Sequence, residues 1–239
     1  DAHIVMDTMS AIEDPIEEDF AEAVRLLGQV THQDVEQTEK GRMVIKRAVA
    51  KDRVISLTDP EMRHARKSPQ NRTNGYKVSI MADTESELIT GVHTHPANEA
   101  DSAAVKELLQ EQENQGRKPK KLLGDSAYGS GPQRRDRKQE EIELIAKAPP
   151  ASGRSGKLSK KHFHIHTDKD IVRCPAGRQT KEYTTVTKDG EISKVFRFER
   201  TKCNGCMLKL KCTDSDKGRT IMVGPYEDYL QEARLEQRK

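Results

Sequence analysis

Residues 75–96, GYKVSIMADTESELITGVHTHP, with LLGDSAYGSG at 122–131 and IELIAKA at 142–148, decide the fold. The first stretch alternates apolar and polar side chains on both sides of the polar turn 84–86, a period of two that predicts a β-hairpin of 75–83 with 87–96. Leu122 and Leu123 end a short buried strand before a glycine-rich turn. Between these stretches, Asn98 and Asp101 can cap a helix that carries Val105, Leu108 and Leu109 on one face and ends near Gly116. A second helix over 132–141 leads into the strand 142–148. Strand, strand, helix, strand, helix, strand is an α/β order whose crossovers make part of the sheet parallel.

Working outward, residues 16–28 (IEEDFAEAVRLLG) space Ile16, Phe20, Val24 and Leu27 by three and four, with Gly28 where a helix would stop. Residues 43–55 mix β-branched side chains with Lys and Arg at irregular period and read as extended structure before the Asp59-Pro60 turn. Past Pro149-Pro150 the chain becomes rich in short polar strands and turns and holds every cysteine, so 151–223 reads as a small β-rich module, inserted or appended. From Pro225 onward the composition is helical. The expected division is an acidic helical leader (1–50), an α/β core (51–150), the cysteine module (151–223) and the start of a C-terminal helix (224–239).

Of 239 residues, 33% are apolar and only 4% aromatic, which leaves a thin core for so much chain. No run approaches the roughly 18 to 20 apolar residues that span a bilayer, and no secretory leader opens the chain. A soluble, cytoplasmic protein without a membrane partner is expected. Net charge is +3, but residues 1–40 carry −9 and the rest +12. Eight Lys/Arg lie in 117–138, and 63–77 is basic too, a pattern that suits a phosphate backbone through counterion release and that a solvated charged face also explains. The chain opens on Asp1 and stops inside a helix-like charged run, as a piece of something longer would.

Asp125 follows a short apolar strand and is surrounded by Gly124, Gly129 and Gly131. Open α/β sheets place ligands at the carboxyl ends of their strands, although an Asp in such a turn also serves by binding backbone groups. Cys174, the CxxC pair Cys203 and Cys206, and Cys212 fit a tetrahedral Zn²⁺ site better than disulfides in a chain without a secretion signal. Reduced structural thiols are the alternative. His162, His164 and His166 alternate onto one strand face, which reads as solvated beside Lys160, Lys161 and Lys169. For His93 and His95, a turn role before Pro96 is expected.

Five blocks, VISLTDPEMRHARKS (54–68), residues 75–104, LLGDSAYGSG (122–131), CPAG (174–177) and CNGCMLKLKC (203–212), together resemble the DDE transposases of bacterial insertion sequences. The resemblance runs in order over nearly the whole chain. It implies a ribonuclease-H-like mixed sheet with flanking helices, interrupted or followed by the cysteine module. It also implies three carboxylates that hold two Mg²⁺ or Mn²⁺ ions for transesterification of DNA, the chemistry that paired hard cations serve. On the match of GDSAYGSG, Asp125 takes the role of the second carboxylate. The first is expected upstream of Asp1, and the final Glu beyond Lys239, because Tyr229, Arg234 and Glu236 lack the Tyr-x-x-Arg-x-x-x-Glu spacing. Asp1, Asp7, Glu232 and Glu236 are the candidates within the chain, which is expected to be inactive alone. Arg63, His64, Arg66 and Lys67 precede a central core strand and are candidate DNA-backbone contacts, or else charge covering an edge strand.

The leading reading is a transposase fragment with DNA, as transposon ends and target, and a second copy of the chain as partners. The competing readings are a zinc-stabilised DNA-binding remnant without catalysis, whose DNA binding would ignore Asp125, and a ribonuclease-H-like nuclease that stops at nicks instead of joined strands.

Overall fold

The computed structural model describes residues 18–47, 50, 52–151, 153 and 156–237. The chain divides into two compact units, 1–118 and 119–239.

In the first unit, helix α1 (Glu18–His32) buries Leu26 and runs through Gly28, a correction to the expected stop. The helix continues because Thr31 closes its last turn, its hydroxyl donating to the Leu27 carbonyl at 2.9 Å. Phe20 of the predicted stripe remains 44% exposed, and Ile16 lies outside the described residues. Strands β1 (Val35–Gln37) and β2 (Met43–Ile45) form a small antiparallel hairpin. The main sheet follows: β3 (Arg63–Arg66), β4 (Arg72–Ala82) and β5 (Ile89–Pro96), all antiparallel. β4 pairs with β3 over its first four residues and with β5 over the remainder, from Tyr76 opposite Pro96 to Met81 opposite Gly91. The turn between β4 and β5 is held by Asp83, whose carboxylate accepts from the Ser86 amide (2.8 Å) and hydroxyl (2.6 Å).

A single 3₁₀ turn (Asp101–Ala104) opens onto helix α2 (Val105–Asn114), which buries Val105, Leu108 and Leu109. The helix lies on one face of the hairpin. A Cβ added to Gly91 would stand 3.1 Å from Leu108 Cδ2 and 3.2 Å from Gln112 Nε2, so the absence of a side chain there lets helix and strand meet. Buried Gln112 donates to the Thr90 carbonyl at 2.7 Å. On the opposite face, Val78, Ile80 and Val92 are more than half exposed.

In the second unit, β6 (Lys121–Leu123) and β7 (Glu143–Ile145) pair in parallel, joined by helix α3 (Gly131–Gln139), as the crossover order required. Strands β8 (His164–His166), β9 (Ile171–Arg173) and β10 (Gln179–Thr180) make one antiparallel sheet; β11 (Tyr183–Lys188), β12 (Glu191–Arg197) and β13 (Thr220–Val223) make another. Phe163, Val172, Phe196, Phe198, Ile221 and Val223 form their shared core. Two short helices, α4 (Arg200–Asn204) and α5 (Lys209–Cys212), bridge β12 to β13, and α6 (Glu227–Glu236) follows. Among the described residues the antiparallel set β3–β4–β5 and the parallel pair β6–β7 are separate sheets.

Candidate functional site

The loop between β6 and α3 is anchored at both ends by groups that leave no spare room. The Gly124 amide donates to the Ile145 carbonyl at 3.1 Å, extending the β6–β7 ladder by one bond. Asp125 follows at the carboxyl end of β6, with an exposed side chain. Its Oδ1 accepts from the Ala127 amide at 2.7 Å, and its carbonyl from the Tyr128 amide at 3.2 Å, which fixes the turn beneath the carboxylate. A Cβ on Gly129 would lie 2.1 Å from the Lys147 carbonyl oxygen, and one on Gly131 would lie 2.4 Å from Tyr226 Cβ.

Arg134, one turn into α3, is buried, and its Nε donates to the Gly129 carbonyl at 3.1 Å while Nη2 reaches the Ala146 carbonyl beside β7. One guanidinium therefore ties the glycine loop to the strand next to it. Burial pulls the Arg134 pKa down; Glu236 opposes this and Arg234 adds to it. The guanidinium stays charged, since arginine titrates far above any working pH.

Helix α6 packs on α3 through its ends. Lys138 pairs with Glu232 at 2.8 Å, Arg135 Nη1 donates to the Tyr226 hydroxyl at 3.1 Å, and Arg234 donates to the Pro149 carbonyl at 3.2 Å. Glu227, 4% exposed, pairs with Lys160 and stands 3.4 Å from Arg234. This buried carboxylate does not stand out in the sequence, where nothing separates it from its charged neighbours.

Of the candidate carboxylates, Glu232 is paired with Lys138, and Glu236 lies in the field of Arg134 and Lys138. Asp1 and Asp7 fall outside the described residues. Among the described residues no three His, Cys, Asp or Glu side chains are arranged to hold a metal ion.

The basic block 63–67 forms β3 and the turn into β4. Arg63 is committed locally, Nη1 donating to the Met62 carbonyl at 2.9 Å and to that of Pro60. His64 Nδ1 lies 2.6 Å from Asn74 Oδ1 across the ladder. Arg66 and Lys67 are exposed, and Arg66 stands directly opposite exposed Arg72. Among the described residues none of these three makes an ion pair.

The run 117–138 differs from a free cationic stripe. Arg134 and Arg137 are buried, Arg135 pairs with Asp136 at 2.6 Å, Lys121 with Glu143 at 3.1 Å and Lys138 with Glu232. Much of that charge is structural, because a helix packed on both sides turns its arginines onto carbonyls and carboxylates.

The histidines also depart from expectation. His162 lies in a 3₁₀ turn, so only His164 and His166 share the β8 face, where both are exposed. His95 sits within β5, not in a turn; it is 3% exposed, its Nε2 lies 3.2 Å from the buried Ser79 hydroxyl, and Nδ1 is 3.7 Å from Glu99. The period-two pattern of β5 carried this signal, since His95 falls on the same face as Gly91, under α2. Cys174, Cys203, Cys206 and Cys212 are free thiols that line one cavity. No described helix is long and apolar enough to cross a membrane.

A family model described as a transposase DDE domain matches residues 46–201, and a second one of the same description matches 173–239. No curated protein and no solved structure matches the chain.

Proposed function

Because the chain belongs to the transposase DDE domain family, we propose that it carries part of the machinery that cuts DNA at insertion-sequence ends and joins the freed 3′-OH to target DNA. The observation that supports this reading is the seat of Asp125, an exposed carboxylate at the carboxyl end of a parallel strand, in a loop held by glycine packing and by Arg134. The ribonuclease-H-like core is part of the same proposal, and the parallel β6–β7 pair with its crossover helix α3 is the strand–helix–strand unit that supports it. So are the division into leader, core, cysteine module and C-terminal helix, the second copy as a partner and the cytoplasmic location.

The family generally uses a divalent metal, which when bound stabilises charge on the oxygens of a phosphoryl transfer. Asp125 supplies the hard oxygen that Mg²⁺ or Mn²⁺ takes, as one ligand of a set that the described residues do not complete. The chain's own contribution is positional. Arg134 and the Ala127 amide hold the carboxylate's loop rigid, Arg66, Lys67 and Arg72 neutralise phosphates, and Arg63 and His64 shape the hairpin that presents them.

The test is an end-joining assay with DNA carrying the element's terminus, in Mg²⁺ or Mn²⁺, with DNA binding measured alongside. In a protein that supplies the family's other two carboxylates along with this chain, joined strands that vanish in Asp125→Ala while binding persists are the expected result. Nicks without joining would favour a hydrolytic nuclease. DNA binding without cleavage, unchanged by Asp125→Ala, would favour a non-catalytic binding protein.

A further inference from the structure

The cysteines reach one place from three parts of the second unit. Cys174 follows β9 in a tight turn: its amide donates to the Arg178 carbonyl at 2.8 Å, and the Gly177 amide donates back to the Cys174 carbonyl at 2.9 Å. Gly177 has φ +80°, open to glycine at little cost, so the CPAG stretch closes as a tight knuckle. Cys203 lies on α4 and Cys206 just past it, where the Cys206 amide donates to the Cys203 carbonyl at 3.2 Å and the Lys209 amide to the Cys206 carbonyl at 2.9 Å. Cys212 ends α5.

All four line a single cavity of about 380 Å³, and Cys174, Cys203 and Cys212 also pack against the apolar core around Phe163 and Phe198. The same cavity is lined by Arg178, Lys181, Lys202, Lys209 and Arg219, and by Glu182 and Glu199.

We propose that this cavity is a structural tetrathiolate site for a soft divalent cation, zinc above all, which clamps the β9 knuckle to helices α4 and α5. Thiolates select zinc over hard cations, and a closed four-ligand set is the structural form of such sites. Four thiolates around one dication carry a net −2, which the excess of five lining cations over two lining carboxylates offsets. The sulfurs do not yet converge on one point. Binding therefore requires rotamer changes among the four cysteines that bring their sulfurs together. Each ligating thiol releases its proton to solvent on binding, so affinity rises with pH. The benefit is stability, since the two small sheets share only six buried apolar side chains.

The full chain, purified under reducing conditions without added metal, should contain about one zinc per molecule by mass spectrometry of the metal. After chelation, Co²⁺ should restore a tetrahedral spectrum with thiolate-to-cobalt charge transfer. Cys174→Ser should lose the bound zinc, and Asp125→Asn should keep it, so the result stands apart from the reading of Asp125. Because Cys174→Ser can misfold by itself, the wild-type chain carries the decisive arm: zinc should slow the reaction of all four thiols with an alkylating reagent. The proposal is overturned if the chain binds neither zinc nor Co²⁺ through sulfur. Four thiols equally reactive with and without zinc, or disulfides found in the reduced preparation, overturn it as well.

Discussion

At Gly129 a single carbon decides whether the loop closes. Its Cβ would sit 2.1 Å from a backbone oxygen that cannot swing aside, so Gly129→Ala should destabilise the second unit by about 2 kcal/mol or more, visible as a lowered denaturation midpoint. Arg134→Met keeps much of the bulk but leaves the Gly129 carbonyl without its donor, a loss of about 1–3 kcal/mol for a buried group. Tyr76 offers a titration signal in the first unit. Its hydroxyl donates to Asp59 at 2.6 Å, and that carboxylate, then burial, push its pKa up to about 12 from the ordinary 10. The folded value lies above the unfolded one, so the contribution is whole below pH about 10 and fades as pH rises to about 12. Ultraviolet titration should show Tyr76 among the late tyrosines, beside Tyr226, which its hydrogen bond to Glu191 also raises, and Asp59→Asn should remove the Tyr76 component alone. None of these three interactions is readable from sequence, because each joins residues through a geometry that only the packed loop creates.

Helix α2 and the β4–β5 hairpin stand or fall together, since Leu108 and Gln112 meet Gly91 face on. Leu108→Ala should cost about 2–5 kcal/mol, with the spread set by how far the helix settles into the space. The hairpin, helices α2 and α3 and the parallel pair were legible because their periodicities are strong and their turns carry Gly, Pro or Asp; α3 alone crosses between parallel strands, since the hairpin and the β6–β7 pair are separate sheets among the described residues. The stop at Gly28 does not occur because a glycine signals a helix end only when nothing else satisfies the following turn, and Thr31 does so here. The β3–β4 end is the element to alter in DNA binding. Replacing Arg66, Lys67 and Arg72 with Gln should flatten the salt dependence of DNA affinity by about one unit of log–log slope for each phosphate no longer neutralised. A face that only covers an edge strand would leave the slope unchanged.

Over the whole chain, composition announced a thin core, and the two units bear this out: one apolar cluster lies under six short strands, and one hairpin is packed on a single face. Backbone amide exchange should separate the units. After chelation, peptides from 157–223 should lose protection while those from 75–114 keep theirs, if metal and not apolar burial alone holds the second. The setting of Asp125 was legible, because strand, turn and helix are local, whereas its part in catalysis belongs to the proposal above. The cysteine cavity was legible only as a set of residue types, because what gathers the four thiols is the folding of three short segments around Phe163 and Phe198. The charged run 117–138 was legible as basic but not as internal, since sequence does not reveal which arginines a helix turns inward. Arg66 facing Arg72 remains, two like charges closing the last rung of a ladder. Their repulsion is greatest in dilute buffer and is relieved by counterions, so this end of the sheet is held least firmly when ions are scarce, and a polyanion bound there would act as a fastener.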